Sequence, residues 1–93
     1  MTVEIANLGT WGGATLVAEY DPEDDAIRID ARAVERVRAA LGDEGAERFI
    51  ALACAHERFH RDHPHGSERD AAAYAECVTG ADARRFERVL ARP

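Results

Sequence analysis

The sequence contains no lysine, and all twelve of its basic residues are arginine. This bias is typical of GC-rich genomes and indicates a bacterial origin. Basic residues are also outnumbered, because 18 acidic residues leave a net charge of −6. A surface that binds nucleic acid is normally basic. We therefore expect no nucleic acid among the partners.

Long apolar runs are also missing. No stretch approaches the roughly 18 continuous apolar residues of a membrane span. The first twenty residues lack the basic start and apolar run of a secretory signal. We therefore expect no membrane association and a cytoplasmic location. The length of 93 residues predicts a single domain over 1–93.

Cysteine is scarce: two residues cannot make a disulfide framework. In a reducing cytosol, Cys54 and Cys77 are expected to be small buried side chains. If the helices that carry them run antiparallel, the two residues lie near each other. That arrangement allows a shared buried contact, or a disulfide under oxidising conditions.

The first third of the chain is strand-like. Alternating residues predict strands in "TVEIANL" (2–8), "ATLVAEY" (14–20) and "AIRID" (26–30). The stretches between them, "GTWGG" (9–13) and "DPEDD" (21–25), have the composition of turns.

The rest of the sequence is helical. Val34, Val37 and Leu41 recur at helical spacing, and Asp30 and Gly42 are suited to the two ends of a helix over 31–41. Asp43 can cap a second helix whose body is 46–62, which ends at "HPHG" (63–66). A third helix over 67–78 begins at a capping-box-like Ser67 and Asp70 and ends near Gly80, and a fourth spans 82–91. The fold class expected is α+β: a small antiparallel sheet of two or three strands followed by four helices.

The stretch "CAHERFH" (54–60) carries the chemistry. His56 and His60 are four residues apart on a helix, so they project side by side and can each give a nitrogen to one zinc ion. Glu57 flanks the metal position, where it can take a proton from a water molecule that zinc activates. This is the H-E-x-x-H pattern of zinc peptidases. The alternative is an ordinary helix surface on which Glu57 pairs with Arg61.

Catalytic zinc usually has three protein ligands and an open position for water. Because "HPHG" is a short connection, the next helix is expected to fold back antiparallel. Glu68 and Asp70 can then reach His60, and either can be the third ligand.

Three further residues are weaker candidates for binding the reaction oxyanion or the substrate. His63 and His65 lie in the loop, and Tyr74 carries a hydroxyl that can donate to an oxyanion. The plainer interpretation is that the two histidines are polar loop residues and that Tyr74 is a packed aromatic side chain.

Three stretches in order resemble the ImmA/IrrE family of zinc metallopeptidases: "YDPEDDAIRID" (20–30), "ERFIALACAHERFH" (47–60) and "ERDAAAYA" (68–75). The second is similar to a family segment like "ARFTLAHELGH", and the third to one like "ExEANxFA". The resemblance covers roughly residues 17–78. In size the chain looks like the minimal single-domain members of the gluzincin class, the minigluzincins.

The resemblance implies a zincin-like core in which His56, His60 and Glu68 bind one zinc ion, with Asp70 as the alternative third ligand. It implies Glu57 as the general base and a peptide or protein as substrate. Because no DNA-binding domain accompanies this core, any regulatory role would need a partner regulator. A second hypothesis is a catalytically inactive zinc-binding module, in which His63, His65 or both carboxylates, Glu68 and Asp70, complete the coordination of the metal. The sequence leaves the oligomeric state open.

Overall fold

The central strand of the sheet is "AIRID". The computed structural model describes residues 1–11, 14–15 and 17–91, with the backbone alone at residues 10, 11, 14 and 15. Within these residues it has five strands: β1 (Thr2–Ala6), β2 (Thr10–Trp11), β3 (Ala14–Thr15), β4 (Ala18–Asp21) and β5 (Ala26–Asp30). The two-residue strands β2 and β3 pair with each other, and the other three form a sheet in the order β1-β5-β4.

The three-stranded sheet is mixed, and the expected antiparallel arrangement is therefore only half right. β4 and β5 pair antiparallel across the acidic turn, but β1 runs parallel to β5, with Val3 beside Ile27 and Ile5 beside Ile29. Side-chain alternation predicts which face of a strand is buried, but it does not predict the direction of a neighbouring strand.

Two of the sequence predictions also include residues outside those described: Gly12 and Gly13 of the glycine turn, and Leu16 of the strand over 14–20.

The core lies between one face of this sheet and the helices. Ile27 and Ile29 are completely buried, and they belong to one apolar cluster with residues of all three helical segments. On the opposite face, the Arg28 guanidinium contacts carboxylates of the strands and the acidic turn: Glu4, Glu19, Asp21 and Asp24.

The described part of the chain has three helices, where the sequence predicted four: α1 (Ala31–Asp62), α2 (Glu68–Thr79) and α3 (Ala83–Leu90). The helices expected over 31–41 and 46–62 form one element, α1. Its backbone is non-helical at Gly42, where φ is 78° and ψ is −177°. Gly42 therefore kinks the element where the sequence predicted an end. Asp43 contacts Arg38 in an ion pair.

Side-chain caps fix the helix starts. The Asp30 carboxylate accepts a hydrogen bond from the Ala33 amide, and the Ser67 hydroxyl accepts one from the Asp70 amide. Gly80 closes α2 in the left-handed conformation, with φ of 69°. The expected N-caps Asp30 and Ser67 and the stop near Gly80 are thus confirmed.

No helix among the described residues combines the length and the apolar character that crossing a bilayer requires.

Candidate metal centre

The site lies where α1 and α2 meet. α1 ends at Asp62, and the His63 amide donates a hydrogen bond back to the Phe59 carbonyl. The chain then turns through Gly66, where an added Cβ would come within 2.5 Å of the Phe59 ring. Only glycine allows the loop to lie this close to the helix. The tight turn places Glu68, the first residue of α2, above the last turns of α1.

Glu68 bridges the two histidines of the motif. Its Oε2 lies 2.9 Å from His56 Nε2, and its Oε1 lies 2.7 Å from His60 Nε2. The two imidazole rings are 5.0 Å apart, as expected for neighbours one helical turn apart. One ligand atom from each of the three residues therefore lies within 4.8 Å of the other two.

This group has the donor set of a metal centre: two imidazole nitrogens and one carboxylate oxygen. His60 Nε2 is buried and makes no hydrogen bond, although Glu68 is near, because the contact lacks hydrogen-bond geometry. A buried nitrogen without a partner is unfavourable in the protein alone. A cation between the three side chains would use it, so the residues fit a metal ion.

The Glu68 carboxylate can adjust to such an ion. Tetrahedral ligands at about 2.0–2.2 Å from zinc stand roughly 3.3 Å apart, slightly more than the two contacts observed here. The Glu68 side chain is 80% exposed, so a small rotation meets no packed neighbour. His56 and His60, which are partly buried on α1, provide the fixed part of the group.

Glu57 lies beside this group and is buried, with 8% of its surface exposed. Its Oε2 has no hydrogen-bond partner. Burial raises the pKa of the Glu57 carboxyl above its usual value, while the nearby imidazoles of His56 and His60 oppose the rise. A buried carboxylate of this kind, close to residues that could hold a metal ion, has the properties of a proton acceptor and donor.

A cavity of about 460 Å³ opens beside these residues. His56, Glu57 and Glu68 are among the residues that line it. Most of the remaining wall is apolar and comes from α1, α3 and the start of β4: Val17, Ala18, Phe49, Leu52, Ala53, Ala83, Phe86 and Leu90. The side chain of Glu87 also lines the cavity. Strand β4, to which Ala18 belongs, is an edge strand among the described residues.

Sequence reasoning missed this cavity. Phe49, Ala53 and His56 follow one another at helical spacing, so the sequence could have predicted that they share one face of α1. The sequence could not have predicted that α3 forms part of the wall, because this depends on the edge-to-face contact of Phe49 with Phe86, whose ring centres are 5.4 Å apart. In α3, Phe86 and Val89 are buried and Leu90 is partly buried.

The other candidates lie outside the group. Asp70 is exposed and is not among the residues that the structure brings together as metal ligands. His63 stacks on Phe59, with ring centres 4.6 Å apart, and His65 is exposed in the loop. Tyr74 lies with its ring 5.7 Å from that of Phe59 and is 43% exposed.

The two cysteines are both free thiols. Cys54 is partly buried, and burial raises the pKa of its thiol. Cys77 is exposed, so the expected burial of both residues, and a shared buried contact between them, are wrong. Its position on α2 turns it towards solvent.

Comparison of the chain with protein-family models, with curated proteins and with solved structures found no match.

Proposed function

We propose that this chain is a zinc-dependent peptidase, a minimal gluzincin of the ImmA/IrrE type that acts in the bacterial cytoplasm. One observation carries the proposal. A buried carboxylate with an unpartnered oxygen, Glu57, adjoins three side chains that can hold a metal ion: His56, His60 and Glu68. A helix surface without function gains nothing from a buried, unpaired carboxylate.

His56, His60 and Glu68 would hold the metal. We propose zinc because two nitrogens and one carboxylate oxygen form a ligand set typical of catalytic zinc. Zinc supplies Lewis acidity and lowers the pKa of water from about 15.7 to about 7. Asp70, the alternative third ligand, is not in the group, and within the described residues the group has no fourth member. This agrees with a position left open for water.

The role proposed for Glu57 is proton transfer. Its carboxylate takes a proton from the water molecule that attacks the peptide carbonyl, and then passes this proton to the nitrogen of the leaving amine. Burial raises the pKa of the Glu57 carboxyl when no cation is bound, and this favours the uptake of a proton by the carboxylate. Only 8% of the Glu57 surface is exposed, which limits the access of bulk water to its carboxyl.

The substrate proposed is an extended peptide. Edge strands present unpaired backbone groups that can pair with an added strand. β4 is such a strand, and its first residue, Ala18, lines the cavity with Glu57. A peptide paired with β4 would place one side chain in the apolar part of the cavity. We therefore propose preference for a large apolar residue next to the cleaved bond, in a peptide or a dedicated partner protein.

The test combines metal content with cleavage. We expect untagged protein to bind one equivalent of zinc, to melt at a higher temperature with zinc than with a chelator, and to cleave members of a peptide library. Glu57→Gln should retain zinc and lose about 10²–10⁴-fold in kcat/KM, as expected for a general base. Glu47→Gln, a matched change at an exposed position of α1, should leave cleavage unchanged.

The same experiment separates the alternative function. One equivalent of zinc without cleavage of any peptide would support a catalytically inactive zinc-binding regulatory or interaction module. Absence of zinc binding would contradict both functions.

A further inference from the structure

The carboxylates around the cavity beside the metal centre make its wall acidic. Glu57, Glu68 and Glu87 line it together with His56. Among the described residues of its wall there is no arginine, although the chain has twelve. A cleft with apolar walls and charges of one sign concentrates its electric field. The cavity is therefore suited to a ligand that carries a positive charge.

A bound zinc ion would not cancel this negative charge. Its two positive charges would offset the carboxylates of Glu57 and Glu68 at the metal centre. Glu87 is on α3 and is not in the group of residues that could hold the ion. The carboxylate of Glu87 is therefore the charge that remains in the loaded site.

Glu87 interrupts an apolar stripe of α3. Ala83, Phe86 and Leu90 line the cavity with it, at the spacing of one helix face. Phe86 is buried and Glu87 is exposed, so the glutamate lies where the cavity meets solvent. A ligand in the cavity would therefore pass this carboxylate.

The surroundings of Glu87 do not account for its charge. It lies in the last turn of α3, where an acidic residue is unfavourable because the C-terminal end of a helix carries partial negative charge. Within the part of the chain that the structure describes, its carboxylate takes part in no ion pair. A cation supplied by a ligand would give the carboxylate a partner.

A second carboxylate of the cavity independently indicates a ligand. Glu57 is more than nine-tenths buried, with 8% of its surface exposed, and its Oε2 has no hydrogen-bond partner. A buried acceptor without a donor is unfavourable. A molecule bound in the cavity can supply the missing donor, so the cavity has the character of a binding site.

The backbone of β4 determines how a peptide would lie along the cavity. The Asp30 amide donates a hydrogen bond to the Val17 carbonyl, so Val17 faces β5. Because backbone groups alternate in direction along a strand, Ala18 points its amide and carbonyl groups at the open edge. Ala18 also lines the cavity, so a peptide paired with it follows the cavity wall.

Two side chains of such a peptide can enter the cavity together. Residues two positions apart on an extended chain point to the same side, roughly 6.4–6.8 Å from each other. The volume of about 460 Å³ lies in the range of sites that hold ligands larger than one side chain.

We infer that the cavity selects an extended peptide in which a large apolar residue and a lysine or arginine stand two positions apart. Glu87 is the residue that recognises the positive charge. The apolar side chain packs against Phe49 and Phe86, and the cation pairs with the Glu87 carboxylate at the mouth. The aliphatic part of the basic side chain covers apolar wall while its charged end stays in water. This inference rests on the proposed function, because it specifies the substrate of the same site.

Fluorescence anisotropy with labelled peptides, blocked at both ends, tests the inference. The first peptide has the core Arg-Gly-Phe-Gly-Arg, which offers a basic residue two positions from phenylalanine in either chain direction. In two others, glutamine or glutamate replaces both arginines. The last has the core Gly-Arg-Phe-Arg-Gly, which keeps the composition and charge but turns the arginines to the opposite side. The protein is zinc-loaded Glu57→Gln, so that the peptides stay intact.

We expect the first peptide to bind about two- to fivefold more tightly than the glutamine peptide and the peptide with adjacent arginines, as for an exposed ion pair. Adding Glu87→Gln should abolish both differences. Adding Glu87→Arg should reverse the order, so that the glutamate peptide binds best. Glu47→Arg makes the same charge change at an exposed position of α1 outside the cavity, and it should leave the order unchanged.

The inference is overturned if the order of affinities is the same in Glu87→Arg, if the two arginine peptides bind equally, or if no peptide binds. Zinc content and cleavage by the natural protein are separate measurements. A charge preference that depends on Glu87, without cleavage, would contradict the proposed function alone. Cleavage that takes no account of Glu87 would contradict this inference alone.

Discussion

Glu57 and Glu68 have opposite environments although both are glutamates of one site. Glu57 is buried and lacks a hydrogen-bond partner at Oε2, whereas Glu68 is largely exposed and contacts two imidazoles at once. Burial of an unpaired carboxylate costs free energy of folding. A carboxylate that contacts imidazoles from the solvent side loses little hydration. The first arrangement suits proton transfer, and the second suits a metal ligand.

The identity of the third ligand gives the first prediction. Glu68→Gln removes the carboxylate that contacts both histidines and should weaken zinc binding by at least about 100-fold, beyond the 10–100-fold typical of changes around a metal's ligands. Asp70→Asn is the matched control, since Asp70 is exposed two residues further along α2, and it should change the affinity by less than about twofold. Competition with a chromophoric chelator measures both. Equal losses in the two variants would contradict the assignment.

The sequence could not choose between these two residues, for a geometric reason. Successive helix residues are about 100° apart around the axis, so positions 68 and 70 point in directions about 200° apart. Only one of them can face α1. Which one does so depends on the turn through Gly66 that starts α2, and a motif carries no information about that turn. The spacing of His56 and His60 was predictable because it lies within a single helix.

At the scale of elements, local signals predicted the ends of helices better than the arrangement of strands. The helices begin at Asp30 and Ser67 and end at Gly80 as predicted. A cap depends only on contacts between residues that are close in sequence, so local sequence is sufficient to predict it. The parallel pairing of β1 with β5 joins residues more than twenty positions apart. No turn connects these two strands directly, so no turn signal indicates their relative direction.

Gly42 supplies a prediction at this scale. Its φ of 78° with ψ of −177° lies in a region that is essentially restricted to glycine. No atom lies within 4 Å of an added Cβ, so any cost of a side chain there comes from the backbone alone. Gly42→Ala should destabilise the protein by about 1–3 kcal/mol and lower its melting temperature by several degrees.

The control for this prediction is a D-alanine at position 42, introduced by chemical synthesis. It carries the same methyl group but adopts positive φ without strain, so its melting temperature should equal or exceed that of the natural protein. If both alanine variants melt at the same temperature, the kink at Gly42 does not carry backbone strain.

At the scale of the whole molecule, Asp25 joins three separate parts. Its carboxylate accepts a hydrogen bond from the Tyr20 hydroxyl at 2.8 Å, and it contacts the amino group of Met1 and the Arg61 Nε, both at 3.3 Å. The Tyr20 hydrogen bond, with the two cations, lowers the pKa of the Asp25 carboxyl. One side chain therefore ties the start of the sheet, the acidic turn and the end of α1 together.

The lowered pKa gives a prediction on acid stability. A carboxyl with a pKa below its unfolded value of about 3.9 stabilises the fold above that value and loses this effect as the pH falls through its folded pKa. Asp25→Asn should therefore lower the melting temperature at pH 7, and the difference from the natural protein should shrink steadily below about pH 4. Glu23→Gln, in the same turn but exposed, should show neither effect. A difference that stays constant with pH would contradict this account.

The position of the three residues of the candidate metal centre has a consequence for folding. All three residues, His56, His60 and Glu68, lie within the α1–α2 hairpin, and none comes from the sheet. Contacts between residues close in sequence form early and need little loop closure. The α1–α2 hairpin can thus bring the three side chains of the candidate metal centre together before the strands have paired, so a site in this segment does not depend on formation of the sheet.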